Sequence, residues 1–241
     1  VHYAILFAII VLAHTIETVT GFGCTVVALA LGAYFVPVDQ WVITLVMVAW
    51  LQSAWLVGRG FRHIHWRLLG MRILPCCALG MPFGFWLFTS AAPHTLKMVL
   101  GLFVIAVSGN ELLRLHQGHH DGAPLPQTVG CAVLVGGGLF HGLFASGGPL
   151  VVYFASRAIR DKATFRATLS LLWLVLGAAL LVTYAWSGRL AKGPAIMAAK
   201  LVPALVVGII IGEMLHHRVN ELTFRKVVQG LLCLTGLFLL F

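Results

Sequence analysis

Charge is scarce in this chain, and acid is scarcest. Of 241 residues, 10% are charged; only 7 are Asp or Glu, against 16 Lys and Arg. A soluble domain averages about 25% charged residues, so an ordinary water-facing surface is excluded. The sequence has no paired Asp residues, no H-E-x-x-H motif and no phosphate-binding G-x-x-x-x-G-K-S/T loop. Zinc-protease chemistry and direct use of ATP both fall away. Alternating strand patterns are missing too, which removes a β-barrel. The 5 cysteines (Cys24, Cys76, Cys77, Cys131 and Cys233) lie in apolar segments without zinc-ligand spacing. They read as small buried side chains, and no metal or other cofactor is expected.

What remains is apolar. Hydrophobic residues make up 60% of the chain and the mean hydropathy is +0.99. Helices satisfy their own backbone in lipid, so the expected fold is an all-α polytopic membrane protein. The net charge of +9 would suit nucleic acid, but the cations fall in loops between apolar segments, so no nucleic-acid partner is expected. Ten apolar segments run over about 4–19, 24–36, 40–58, 68–88, 95–114, 127–145, 149–160, 165–187, 194–214 and 223–241. Residues 4–12 lack a basic flank and a cleavage motif, so no signal peptide is read there.

Crossing the hydrocarbon core takes about 20 helical residues. The second and seventh segments are too short. Each follows a glycine-rich break, "TGFGCT" (Thr20–Thr25) or "ASGGP" (Ala145–Pro149). Residues 4–36 and 127–160 therefore each read as a helix–break–helix hairpin. Loop charge tests this. With hairpins that enter and leave on one side, one face receives Arg59, Arg62, Arg67, Arg114, Arg157, Arg160, Lys162, Arg166, Arg218, Arg225 and Lys226; the other receives Lys97, Arg189 and Lys192. Continuous crossings would even out the two sides. The positive-inside bias favours the hairpins, with the cation-rich loops cytoplasmic and both termini outside. A bacterial inner membrane is the expected location, lipid being one partner and a small anionic substrate the other. A homodimer is one option for the assembly. The linker "LHQGHHDGAPLPQ" reads as a flexible loop, though His116, His119 and His120 are metal-capable. It divides a first transmembrane repeat, residues 1–115, from a cytoplasmic linker, 116–126, and a second repeat, 127–241.

The halves resemble each other. "RILPCCALGMPFG" (Arg72–Gly84) and "KLVPALVVGIIIG" (Lys200–Gly212) share a cation, a proline and two glycines at the same spacing, and "KMVLGL" is followed by "KVVQGL" in the same order. Each half has five segments, an odd number, so the second is upside down relative to the first. Inverted repeats with paired broken helices are a recurring transporter plan, with substrate near the midplane. The G-x-x-x-G pairs Gly80/Gly84 and Gly208/Gly212 read as close helix packing. Arg72 and Lys200 either snorkel to an interface or form an anion relay, one for each half.

The breaks suggest a site. Pro149 suits the first turn of a helix, Ser146 can cap it, and Gly147 and Gly148 permit unusual backbone angles and close approach. The result is a helix start inside the membrane, whose free N–H groups and positive dipole end attract an anion. Gly21, Phe22, Gly23, Cys24 and Thr25 offer a second such start. Glu17 lies one turn before Gly21 and is the only acid deep in the first hairpin. An unpaired carboxylate in lipid costs about 2.5–3.5 kcal/mol, which leaves a proton-coupling role or a hydrogen-bonded structural one. His14 and His141 are titratable neighbours in the first arms of the hairpins. Gln52 sits mid-helix within reach of a cavity. Arg166, in "TFRATLS", is either an ordinary inward-facing cation or one that draws an anion to the inner mouth.

These motifs resemble the TauE/SafE family of sulfite and organosulfonate exporters. The resemblance spans essentially the whole chain and is carried by "TGFGCT", "RHIHWRL" (Arg62–Leu68), "GLFASGGP" (Gly142–Pro149) and "KATFRATLS" (Lys162–Ser170). It implies a secondary transporter and not an enzyme, with Gly147, Gly148 and Pro149 in the family's glycine-rich element and Arg166 in the basic position after it. The first half departs: Cys24 and Thr25 stand where family members often carry a fuller glycine run and a proline. The expected function is export of sulfite or a small organosulfonate, with proton coupling as an option. The alternatives are transport or import of another small anion, an intramembrane enzyme using His14, Glu17 and His141, or a membrane scaffold.

Overall fold

The structure, a computed structural model, describes residues 2–116, 125–190 and 192–215, together with residue 237. The linker histidines His119 and His120 and nearly all of the expected tenth segment lie outside the described residues. Among the described residues every regular element is helical. In order they are α1 (His2–Thr20), α2 (Cys24–Gly32), α3 (Val38–Gly60), a 3-10 turn (Phe61–His63), α4 (Trp66–Leu68), a π-helical turn (Leu69–Ile73), α5 (Leu74–Ser90), α6 (Pro93–His116), α7 (Gln127–Phe144), α8 (Gly148–Ala158), α9 (Lys162–Trp186) and α10 (Lys192–Leu215). The turns and α4 run into α5, so Trp66–Ser90 acts as one span. Among the described residues six helices are long and apolar enough to cross a membrane: Tyr3–Thr20, Val38–His63, Trp66–Ser90, Gln127–Phe144, Lys162–Trp186 and Lys192–Leu215. The chain is thus an all-α polytopic membrane protein.

The two short helices behave differently. At about 1.5 Å per residue, the 9 residues of α2 and the 11 of α8 fall well below a ~30 Å hydrocarbon core. The second segment ends four residues before its expected limit, at Gly32. There the Trp41 indole of α3 leaves no room for a side chain and donates to the Ala28 carbonyl at 2.8 Å. Gly130 of α7 faces Phe154 of α8, and Gly137 faces Val151. Rising numbers on one helix meet falling numbers on the other, so α8 runs back along α7.

Glycines set the closest helix contacts. A Cβ added to Gly80 would lie 2.0 Å from the Val135 carbonyl oxygen, and one added to Gly84 1.9 Å from that of Leu139. Gly138 and Gly142 of α7 press in return on the Cys77 and Met81 carbonyls of α5, at 2.0 and 2.1 Å. Gly208 and Gly212 of α10 meet Val11, Thr15 and Thr18 of α1 in the same way. The residue order makes α5 parallel to α7 and α1 parallel to α10. Gly60 meets Ala167 and Gly177 meets Trp50, so α3 and α9 are antiparallel. Asp161 opens α9: its carboxylate accepts from the Thr164 amide at 2.8 Å and hydroxyl at 2.7 Å. The Thr164 hydroxyl, and then its amide, hold the Asp161 carboxyl below its ordinary pKa.

Candidate functional site

Both breaks form at the end of a helix that leaves through a left-handed residue. In the first, Gly21 has φ 85° and Gly23 φ 102°. The Gly21 amide closes the turn on the Glu17 carbonyl at 2.7 Å. Thr20 is used locally: its hydroxyl donates to the Ile16 and Phe22 carbonyls, each at 2.8 Å. In the second, the left-handed residue is Ala145, at φ 53°, whose amide meets the His141 carbonyl at 2.7 Å. Gly147 has an ordinary helical φ of −67°. This corrects the expected division of labour. Ala145 carries the unusual angle, and Gly147 is required by close approach, since a Cβ there would sit 2.1 Å from the Gly137 carbonyl oxygen. Ser146 does not cap α8 either. Its hydroxyl is buried without a partner, and the N-terminal flank is Gly147 with no side-chain cap. Pro149 lies in the first turn as expected.

The two breaks meet. A Cβ on Gly148 would lie 3.9 Å from Phe22 Cβ and 4.0 Å from the Trp173 ring. Between them is a small cavity lined by Glu17, Gly23, Cys24, Thr25, Val46, Trp50, Ser53, His141, Ala145, Gly148 and Trp173, among others. Its free volume is about 30 Å³, room for roughly two waters at ~10–15 Å³ each. Four kinds of buried group around it have no hydrogen-bond partner: Trp50 Nε1, Ser53 Oγ, both ring nitrogens of His141, and the adjacent Ser146 Oγ. Buried polar atoms are nearly always satisfied in folded proteins, so a convergent set of unsatisfied ones marks a place built for something else. The His141 ring stacks on Trp173 with centroids 5.6 Å apart. Glu17 behaves differently: its Oε2 accepts from the Cys24 amide, the first of α2, at 3.1 Å. Among the described residues no cation pairs with it.

Several expected site residues lie elsewhere. Gln52 is buried but spent on α1: its amide donates to the His14 carbonyl at 3.0 Å and the Thr18 hydroxyl at 2.9 Å, and its oxygen meets His14 Nδ1. Neither His14 nor Gln52 lines the cavity. Arg166 pairs with Glu213 of α10 at 2.6 Å, and its backbone packs on Gly21. Arg72 is exposed in the π-helical turn, and Lys200 is exposed on α10 with its ammonium 5.8 Å from the Tyr3 ring. Neither lines the cavity. Trp50, Ser53, Trp173 and Glu213 were not singled out from the sequence. The polar pair Gln52–Ser53 in mid-helix carried a signal. Adjacent residues point about 100° apart on a helix, and it is Ser53 that faces the cavity.

The profile of the sulfite exporter TauE/SafE family matches residues 6–239. The chain belongs to that family. Its members are membrane transporters, and this chain is a transporter and not an enzyme. Similar curated proteins include the "Probable sulfite/organosulfonate exporter TauE" of Cupriavidus necator, 27% identical over 225 residues that cover 90% of this chain and 85% of that one. The "Probable inner membrane transporter protein TsaS" of Comamonas testosteroni is 26% identical over 191 residues, 76% of this chain and 75% of that one. No solved structure matches significantly. The TauE/SafE assignment covers both broken hairpins and the cavity between them.

Proposed function

We propose that the protein is a secondary transporter that exports sulfite or a small organosulfonate, held between the starts of α2 and α8. The observation that carries this is the set of unpartnered buried groups, Trp50 Nε1, Ser53 Oγ, His141 and Ser146 Oγ, around two helix N-termini. Amide ends favour negative charge, and indole, hydroxyl and imidazole N–H groups supply donors for the several oxygens of an oxyanion. The closeness of the walls is also informative: with about 30 Å³ free, the site must widen around Trp50 and Trp173 to admit a sulfite. The substrate class and the outward direction come from the names of the relatives.

We infer further that the two halves form an inverted repeat. Cys24 opens α2 and Gly148 opens α8; Val38 opens α3 and Lys162 opens α9; the left-handed residues are Gly21 and Ala145. Each pair is separated by the same 124 residues. The contacts exchange in step, α1 with α10 and α7 with α5. Such halves support alternating access by rocking of one against the other. The excess of Lys and Arg in one set of loops supports a cytoplasmic position for that side in a bacterial inner membrane.

The test is counterflow of labelled sulfite and of a sulfonate in proteoliposomes. Wild type is expected to exchange both. Gly148→Leu, which would fill the space toward Phe22 and Trp173, is expected to reduce exchange to background while the protein still elutes as a folded species. Full exchange in Gly148→Leu would remove the site from this cavity.

A further inference from the structure

Glu17 is buried to 4% exposure, lines the cavity, and has its carboxylate on the first amide of α2. That amide is one of the groups offered to the transported anion. The start of α8 has no side-chain cap, and the nearby His141 ring nitrogens and Ser146 hydroxyl have no hydrogen-bond partners. One helix end is therefore filled by the protein's own carboxyl group, and the other is not. The positions correspond: Glu17 and His141 each lie four residues before the left-handed residue of their break and accept its amide at the same 2.7 Å.

We propose that Glu17 is a tethered competitor for the substrate site, so that an oxyanion takes the α2 amide only when Glu17 has accepted a proton and withdrawn, and one proton travels with each anion, export running where the anion's outward gradient exceeds the opposing proton gradient. This rests on the oxyanion-transport reading above and names its coupling. The exchange conserves charge in the cavity. Before loading, the site holds one carboxylate; after loading, it holds one substrate anion and a neutral carboxylic acid. The proton comes from water on the loading side and returns to water on the other when Glu17 regains the amide. The other titratable groups lining the cavity with Glu17 are Cys24 on α2 and His141 on α7. His14, one turn earlier on α1, is turned to Gln52 of α3. Arg166 of α9 packs beside Gly21 and is already paired with Glu213 of α10. The cavity-lining residues of α3 and α8 include none that titrate.

The experiment uses the full chain in liposomes with methanesulfonate as the probe, since that anion does not itself titrate near neutrality. Wild type is expected to move protons with methanesulfonate one for one, read by a trapped pH dye, and to be insensitive to an imposed potassium-diffusion potential. Above the titration of Glu17, its apparent affinity should fall about tenfold per pH unit, because only the protonated fraction is competent to bind. Glu17→Gln should bind independently of pH, more tightly than wild type at high pH, and fail to accumulate methanesulfonate on a proton gradient. Wild-type flux that moves no proton, or a Glu17→Gln protein that keeps the wild-type pH slope, would overturn the coupling role. The wild-type stoichiometry decides the matter even if the variant does not fold. Absence of any sulfite or sulfonate exchange by wild type would instead overturn the transport reading on which this rests.

Discussion

At the scale of residues, the site is a balance between groups that are satisfied and groups that are not. Gln52, His14 and Thr18 satisfy one another and fasten α3 to α1. Ser53, one position on, is left unpartnered at 1% exposure. A neutral hydrogen bond nets about 0.5–1.5 kcal/mol, and one to a charged group about 1.5–3 kcal/mol. Trp50→Phe and Ser53→Ala each remove one donor and keep most of the shape. Each is therefore expected to weaken sulfonate binding by roughly tenfold or more, with little change in the melting temperature, by titration calorimetry on the purified protein. Unchanged affinity in both would mean that these donors do not face the anion. The same scale gives Glu17 its force. Two unit charges about 4 Å apart repel by on the order of 4 kcal/mol at an effective dielectric near 20, so an ionised Glu17 and a bound anion would exclude each other. Glu17 and His141, which line the cavity, stood out in the sequence because each is a polar group in an apolar run. Sequence reasoning chose Gln52 over Ser53 because nothing in composition says which of two neighbours turns toward a cavity. It passed over Trp50 and Trp173 because an interfacial and a site-lining tryptophan look alike in a sequence.

At the scale of elements, the breaks were legible and their internal mechanics were not. Glycine, proline and an abrupt loss of length are local signals, and they located the starts of α2 and α8. Which residue would take the left-handed angle depended on how α7 packs against α8. Gly147 has to admit the Gly137 carbonyl, and the unusual angle falls on Ala145. The G-x-x-x-G spacings did predict close contacts, because backbone approach demands the missing side chain at each turn of one face. This gives a paired expectation for thermal unfolding in detergent. Gly84→Ala would drive a methyl to 1.9 Å from the Leu139 carbonyl oxygen, and overpacking of this kind costs about 1–3 kcal/mol. Gly58→Ala, with nothing within 4 Å of its Cβ position, should be neutral or slightly stabilising, since alanine favours helix over glycine by up to about 1 kcal/mol. Equal melting temperatures for the two variants would show that α5 and α7 are not packed as described.

At the scale of the whole molecule, the long-range helix pairings decide the site. α1 lies parallel to α10 and α7 to α5, while α3 and α9 are antiparallel. That pattern brings the two breaks together, although they are far apart in the chain. Arg166 packs beside Gly21 and pairs with Glu213, which ties α9 and α10 to the first break. The fold class was readable from hydropathy, and the two helix–break–helix arms from glycine and segment length. The meeting of the breaks was not, because it depends on long-range contacts that no local pattern encodes.

The central claim is that both helix starts hold one anion. The most direct measurement is a structure of the full protein with a bound organosulfonate. The account predicts sulfonate oxygens within hydrogen-bond distance of amides at the starts of both α2 and α8, and of Trp50 Nε1 or Ser53 Oγ, with Glu17 displaced from the Cys24 amide. A sulfonate bound at the exposed Arg72 or Lys200, with Glu17 still on that amide and the cavity unchanged, would contradict it.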